Sequence, residues 1–313
     1  MKHNKMWAYL IHLSDNMWAD YWEKWHVAPF YDELSLDEKV WRQVIDFLPS
    51  QGFNTVLIDV GDAMQYERHP EISVKGAWSK DKLRKELNYI RSLGMTPLPK
   101  LNFSACHDAW LKEYGRMVST PIYYQVCKDV IEEVVEVFDN PEYFHLGLDE
   151  EVAEYQRRQA VCCVRNGEQW WHDAYYLFNI CESLGARPWV WSDDCWHHQE
   201  MFLQKMPKSV LQSNWWYNKM KKKPDGTYEK INVETYRILE EHGYDQVPTC
   251  SAVEGDYFSA ERTMDMGKEV IAPERLVGYM TAPWRNTRTR DLYALLHDAY
   301  QFGVAKKLEY PKE

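Results

Sequence analysis

Eight short β-type runs, each separated from the next by a helical stretch, constrain this chain more than anything else in it. The runs fall at 7–13, 54–60, 96–103, 143–148, 187–192, 209–214, 246–252 and 276–281. Across 313 residues this gives about 39 per unit, room for one strand, one helix and their loops. Eightfold alternation predicts an α/β fold: a single-domain (β/α)8 TIM barrel over 1–313, with an open doubly wound sheet as the alternative. No linker, low-complexity tract or compositional shift divides the chain. Helix signals agree. Ser35 with Glu38 reads as a capping box ahead of Val40, Val44 and Phe47. Ser79 precedes a Leu83, Leu87, Ile90 stripe, and Gly94 stands where a left-handed stop belongs. Thr120-Pro121 starts a helix with Ile122, Val126, Val130 and Val134 on one face, which Asn140-Pro141 ends. A last helix is expected over 290–302.

Charge and composition narrow the partners. With 37 basic and 48 acidic residues the chain carries −11, which disfavours duplex nucleic acid and anionic lipid. No apolar run of about 18 residues is present to span a membrane. The start has no apolar stretch followed by a small-residue cleavage site, so a cytoplasmic location is expected, or a periplasmic or secreted one if a leader has been removed. The seven cysteines have no CxxC spacing and read as free buried thiols in a reducing compartment. Aromatics reach 15%, more than core packing alone requires.

In a barrel of this kind chemistry gathers at the C-terminal strand ends. The fourth run ends HLGLDEE, placing Asp149, Glu150 and Glu151 together. Neighbouring negative charge there would keep one carboxyl protonated for general-acid work, although acidic residues also favour a helix start. Because successive strand residues face opposite ways, Asp149 and Glu150 share a pocket only if the chain bends just after Leu148. The fifth to eighth ends read WVWSDDCWHH, QSNWWY, EGDY and APWRNT. They repeatedly set an aromatic beside a carboxylate or amide, as a sugar site requires: the ring stacks on the C–H face while polar groups hold hydroxyls. Asp193, Asp194, His197 and His198 could be metal ligands, but adjacent histidines seldom reach one ion. His145 reads as a core histidine, and the basic run at 219–223 as a solvated turn. No phosphate-cradling glycine motif precedes a helix. Neither metal nor cofactor is expected.

These segments, in order and spacing, resemble the catalytic barrel of glycoside hydrolase family 20, the β-N-acetylhexosaminidases. The family's His-x-Gly-Gly-Asp-Glu is matched by HLGLDEE, with Leu148 for the second Gly. After the second strand, IDVGDAMQYERHPEISVKGAWSKDKL is similar to its Asp-rich segment. Its Pro-Glu-x-Asp-x-Pro-Gly-His is matched by PKLNFSACH, which keeps His107 but sets Lys100 and Asn102 at the acidic positions. The resemblance implies a retaining, exo-acting enzyme with substrate-assisted chemistry. Glu150 would be the general acid/base, and Asp149 would accept the acetamido N–H while the substrate's own carbonyl attacks C1. Tyr257 would hold that carbonyl; Trp191, Trp215 and Trp284 would wall the pocket; His107, Asp193 and Glu254 would complete the substrate site.

Three departures accompany the resemblance. The first strand carries Asp15 and Asn16 where the family has a sugar-gripping Arg, and these two are taken as substrate contacts in its place. Arg285 and Asn286 replace an acidic residue after Trp284, so Arg285 would meet a different hydroxyl configuration or an anionic substituent. The accessory domain that usually precedes the barrel is not expected. The expected partner is an amino-sugar glycan or glycoside, and a homodimer is possible. Two alternatives stay open: a retaining glycosidase with Glu254 or Asp194 as carboxylate nucleophile, and a carbohydrate-binding barrel without catalysis.

Overall fold

The computed structural model describes residues 5–19, 22–23, 26–27, 29–253 and 255–311. All eight expected runs contain strands: β1 Met6–His12, β2 Thr55–Asp59, β3 Thr96–Lys100, β4 Tyr143–His145, β5 Arg187–Trp191, β6 Leu211–Ser213, β7 Thr249–Cys250 and β8 Gly278–Thr281. They pair in parallel in the order β6-β5-β4-β3-β2-β1-β8-β7. Parallel bridges Gln212↔Gln246 and Trp215↔Thr249 join the two edges, so the sheet curls shut. This is the (β/α)8 barrel, and the doubly wound alternative is set aside because that sheet stays open.

Among the described residues, a helix of seven residues or more follows each strand in turn. They are α1 Glu38–Phe47, α2 Lys80–Ser92, α3 Pro121–Val137, α4 Gly167–Ser183, α5 Gln199–Lys205, α6 Ile231–Glu241, α7 Ser259–Val270 and α8 Leu292–Glu309. Ser79 caps α2 by accepting from Lys82 N, and Thr120 caps α3 with Pro121 at its first position. Gly94 takes φ +79°. Three expectations change. Asp37, not Ser35, caps α1, because the Ser35 hydroxyl is donated to Asp15 Oδ2 at 2.8 Å. Ile122 is exposed while Val126, Val130 and Val134 are buried; each fourfold step drifts by about 40°, so with the later three facing the core the first member falls outside it. The last helix also runs to Glu309, beyond the expected 302. Among the described residues no helix is long and apolar enough to cross a membrane.

Alternation along β1 explains why every residue in it is buried. Met6, Ala8 and Leu10 point into the barrel with Leu57, Leu98, Trp189, Leu211 and Met280. Trp7, Tyr9 and Ile11 point outward and join Val44, Leu87 and Phe302 of the helices. At the top of the barrel the inward pattern turns polar. His12, Asp59, Lys100 and His145 are consecutive partners across β1 to β4 and form one buried layer. Lys100 Nζ pairs with Asp59, whose second neighbour is His12 Nδ1 at 3.4 Å. Burial would raise the Asp59 pKa, but Lys100 and then His12 outweigh it and hold it at about 2.

Candidate active site

That polar layer is the floor beneath the β4 exit, and the exit itself bends. Gly147, Leu148 and Glu150 take φ of +72°, +65° and +61°. Left-handed geometry costs an L-residue roughly 1–2 kcal/mol, so two such residues in one turn are strain stored where chemistry would use it. The bend that sequence reasoning required is therefore present, and Leu148 adopts a conformation that glycine would take freely. Gly147 itself is required by space: a Cβ there would lie 2.0 Å from Asn102 Oδ1. Gly147→Ala should accordingly lower stability by roughly 2–4 kcal/mol through left-handed strain and a displaced amide. Thermal melting, with kcat/KM measured alongside, checks it.

The turn sends three consecutive carboxylates two ways. Glu151 leaves the cup and is gripped by Arg165 at 2.7 and 2.9 Å, which also reaches Asp173 at 3.0 Å. Asp149 and Glu150 converge instead on His107, whose Nε2 lies 3.2 Å from Glu150 Oε2 and 3.6 Å from Asp149 Oδ2. Asn102 Nδ2 donates to Asp149 Oδ1 at 2.8 Å, and the Asn102 amide oxygen accepts Ser104 N at 2.9 Å. Asp193 Oδ2 accepts the Glu150 backbone N–H at 2.7 Å, while its Oδ1 is buried without a partner. Burial, then the charges of Asp149 and Glu150, push the Asp193 carboxyl well above its usual range.

His107 carries the opposite logic. Burial alone would depress it, but the Asp149 charge and the Glu150 bond outweigh that and carry its pKa up to about 9. An imidazolium is therefore locked between two carboxylates at neutral pH. Relative to an unfolded value near 6.5, this raised pKa supplies about 3 kcal/mol of stability below pH 6. That contribution fades between pH 6.5 and 9. NMR titration of His107 should find its midpoint near 9; a midpoint near 6.5 would break the assignment. The same trio offers one ligand atom each within 4.8 Å of the others, so a divalent cation could be held by His107, Asp149 and Glu150. Sequence reasoning looked for ligands at Asp193, Asp194, His197 and His198 and did not single out this set.

Aromatic rings form a continuous wall. Trp191 is buried and packs 5.7 Å from Trp284, whose Nε1 donates to Tyr217 Oη at 2.8 Å. Tyr217 stacks on Trp215 at 5.3 Å, and Trp196 meets Trp215 at 4.6 Å. Burial raises the Tyr217 phenol well above its usual value; the Trp284 bond opposes this, and the charges of Glu150 and Asp149 add to it. Trp18 closes the ring against Trp284 at 6.4 Å and His12 at 4.5 Å.

Other expected contacts are placed elsewhere. Tyr257 is exposed, edge-on to His297 at 5.1 Å; Tyr217, present in QSNWWY but given no role, stands at the wall. Asp15 is taken by Arg288 at 2.8 Å and by Ser35. Asn16 is bonded to Asp62 at 2.7 Å and to both backbone groups of Tyr31 at 2.9 Å. Both fasten the loop after β1 instead of projecting free groups. Asp194 pairs with His198 at 2.8 Å. Arg285 is half-buried, its Nη1 3.5 Å from the Trp284 carbonyl oxygen. His145 is a core histidine, as expected: its Nδ1 accepts from Gly147 N at 3.0 Å, so Nε2 carries the proton. Glu254 lies outside the described residues.

No protein-family model matches the sequence, and no curated protein matches it. Solved structures do. The chitobiase of Flavobacterium johnsoniae superposes with TM-score 0.66 at 14% identity, over 93% of this chain and 47% of that one. The β-N-acetylhexosaminidase of Bacteroides fragilis gives 0.63 at 12%, over 95% and 65%. In fold, this chain is similar to the barrels of these enzymes. Dispersin B gives 0.60 at 13%, over 97% of this chain and 99% of its own. The chain spans about half to two thirds of the first two neighbours.

Proposed function

We propose that this barrel is a retaining, exo-acting glycoside hydrolase for β-linked N-acetylhexosamine, working by substrate assistance. The observation that carries the reading is the left-handed turn that brings Asp149 and Glu150 together on His107 beside the Trp191–Trp284–Tyr217 wall. The sugar's C–H face stacks on the indoles. Glu150 takes the His107 Nε2 proton across 3.2 Å and passes it to the glycosidic oxygen as the C1–O bond breaks, and the acetamido carbonyl oxygen bonds to C1. Asp149, held by Asn102, accepts the acetamido N–H and balances the oxazolinium charge. Glu150 then takes a proton from water, whose oxygen opens the ring at C1 and restores the original configuration. This route needs no carboxylate nucleophile about 5–5.5 Å from the acid, unlike the common retaining scheme.

Tyr217 is assigned the role of holding the carbonyl oxygen, in place of Tyr257. A screen of aryl N-acetylglucosaminide, N-acetylgalactosaminide and plain hexosides should show turnover only where the acetamido group is present. Tyr217→Phe should reduce kcat by about 10²-fold, as for other lost donors to developing charge. Tyr257→Phe should leave it unchanged. The reverse ranking, or equal turnover of plain hexosides, would sink the proposal.

A further inference from the structure

Among the described residues, His107, Asp149 and Glu150 bring together three side chains of metal-ligating type, with one ligand atom from each within 4.8 Å of the other two. The spacing is that of a tetrahedral zinc shell. Zinc–nitrogen and zinc–oxygen bonds of about 2.0–2.2 Å set neighbouring ligand atoms about 3.3–3.6 Å apart. His107 Nε2 lies 3.2 Å from Glu150 Oε2 and 3.6 Å from Asp149 Oδ2. The ligand atoms are also held in place. Asp149 Oδ1 is occupied by Asn102 Nδ2 at 2.8 Å, which leaves Oδ2 for the imidazole side. Ser104 Oγ donates to the Asp149 carbonyl oxygen, and Cys106 Sγ to that of Glu150 at 3.2 Å. Asp193 accepts the Glu150 N–H at 2.7 Å. Outer contacts of this kind fix the orientation of ligands in metal sites. His107 and Asp149 are buried and Glu150 is half-buried, so the open side of the trio lies at Glu150, toward the cup.

We propose that this trio is also a zinc site, and that zinc bound there holds the barrel inactive. One imidazole nitrogen and two carboxylate oxygens at tetrahedral spacing suit zinc, whereas calcium takes about six to eight oxygens and magnesium an octahedron. A doubly charged ion meets two carboxylates, so the site becomes neutral. His107 Nε2 releases its proton to water and turns its lone pair to the metal. Asp149 Oδ2 and Glu150 Oε2 supply one oxygen each, and a water completes the tetrahedron. No electrons are exchanged. The ion is an inhibitor and not a cofactor, because it occupies both the acceptor for the acetamido N–H and the acid. Binding rests on the geometry of the trio alone; its consequence rests on the hydrolase reading.

The test titrates the native full chain with zinc chloride by calorimetry and with cobalt chloride by visible absorption. One-site zinc binding is expected, weakened about 10²-fold or more in His107→Gln and in Asp149→Asn, since losing a ligand should cost at least as much as losing an outer-shell partner. His198→Gln should bind as the parent does. Cobalt should give the intense visible bands of a tetrahedral ion, without a thiolate charge-transfer band. Unchanged zinc affinity in His107→Gln, a thiolate band that moves the ion to a cysteine, or no binding at millimolar zinc would overturn the site. Should His107→Gln fail to fold, Asp149→Asn and the cobalt spectrum of the parent still decide. The zinc-loaded chain should also refuse a thiazoline analogue of the oxazolinium ion that the zinc-free chain binds; binding of both together would overturn the inhibition. Zinc binding through His107 with no thiazoline binding by the zinc-free chain would remove the hydrolase reading and leave the zinc site standing.

Discussion

Glu150→Gln is expected to lower kcat by about 10²–10⁴-fold on substrates with poor leaving groups, the range for a lost general acid. The substitution keeps the side chain's size and its place on the left-handed turn, so the fold should persist, with Tm lowered only by the weakened contact to His107. What disappears is the proton for the departing oxygen. Substrates with an acidic phenol need little protonation, so the deficit should shrink steeply as leaving-group pKa falls. Asp149→Asn should behave differently. It removes the acceptor for the acetamido N–H, so its loss should persist whatever the leaving group. It also puts an amide opposite Asn102 Nδ2, which donates to Asp149 Oδ1 at 2.8 Å, and this should further tilt the acetamido group. Matching losses across leaving groups in both variants would mean that Glu150 is not the acid.

The largest stability effect is expected at Lys100. This residue is fully buried, and its ammonium faces Asp59 inside the barrel. Lys100→Met strands a buried carboxylate and should cost about 3–5 kcal/mol, lowering Tm by roughly 10 °C for a chain of this size. Adding Asp59→Asn should restore much of it, because removing both charges leaves no uncompensated ion. The pH dependence follows from the Asp59 pKa, held at about 2 against an ordinary 3.8. A depressed carboxylate stabilises the fold above the unfolded value and loses that contribution as pH falls. About 2 kcal/mol should therefore vanish between pH 4 and pH 2 in the parent, and not in the Asp59→Asn chain. Denaturant melts at both pH values measure this. A single variant as stable as the double would mean that the pair carries no weight.

The barrel was legible because its strands are buried on both faces and so stand out as apolar runs between capped helices. Strand ends were less legible: 96–103 was expected to be extended throughout, but β3 stops at Lys100 and the chain leaves it toward the site. Asp149 and Glu150 could be named from HLGLDEE, yet the bend that unites them could not, since Leu148 is a residue that seldom takes φ +65°. Asn102 and Lys100 looked like mere departures from an acidic pattern. Their meaning depends on neighbours from other strands: Asn102 on Asp149, and Lys100 on its register with Asp59 and His145. Asp15 and Asn16 misled for the same reason, because Arg288 and Asp62 come from distant loops. Tyr217 and Tyr257 both follow aromatic-polar strand ends, and only the path of each loop separates the walled ring from the exposed one.

Calorimetric titration with a thiazoline analogue of the N-acetylglucosamine oxazolinium ion tests the shared Asp149–Glu150 cup most directly. The account predicts saturable one-site binding by the parent chain and loss of at least about 10²-fold in affinity in Asp149→Ala, where the charge opposing the bicyclic cation is gone. No binding by the parent, or equal affinity in both proteins, would contradict it.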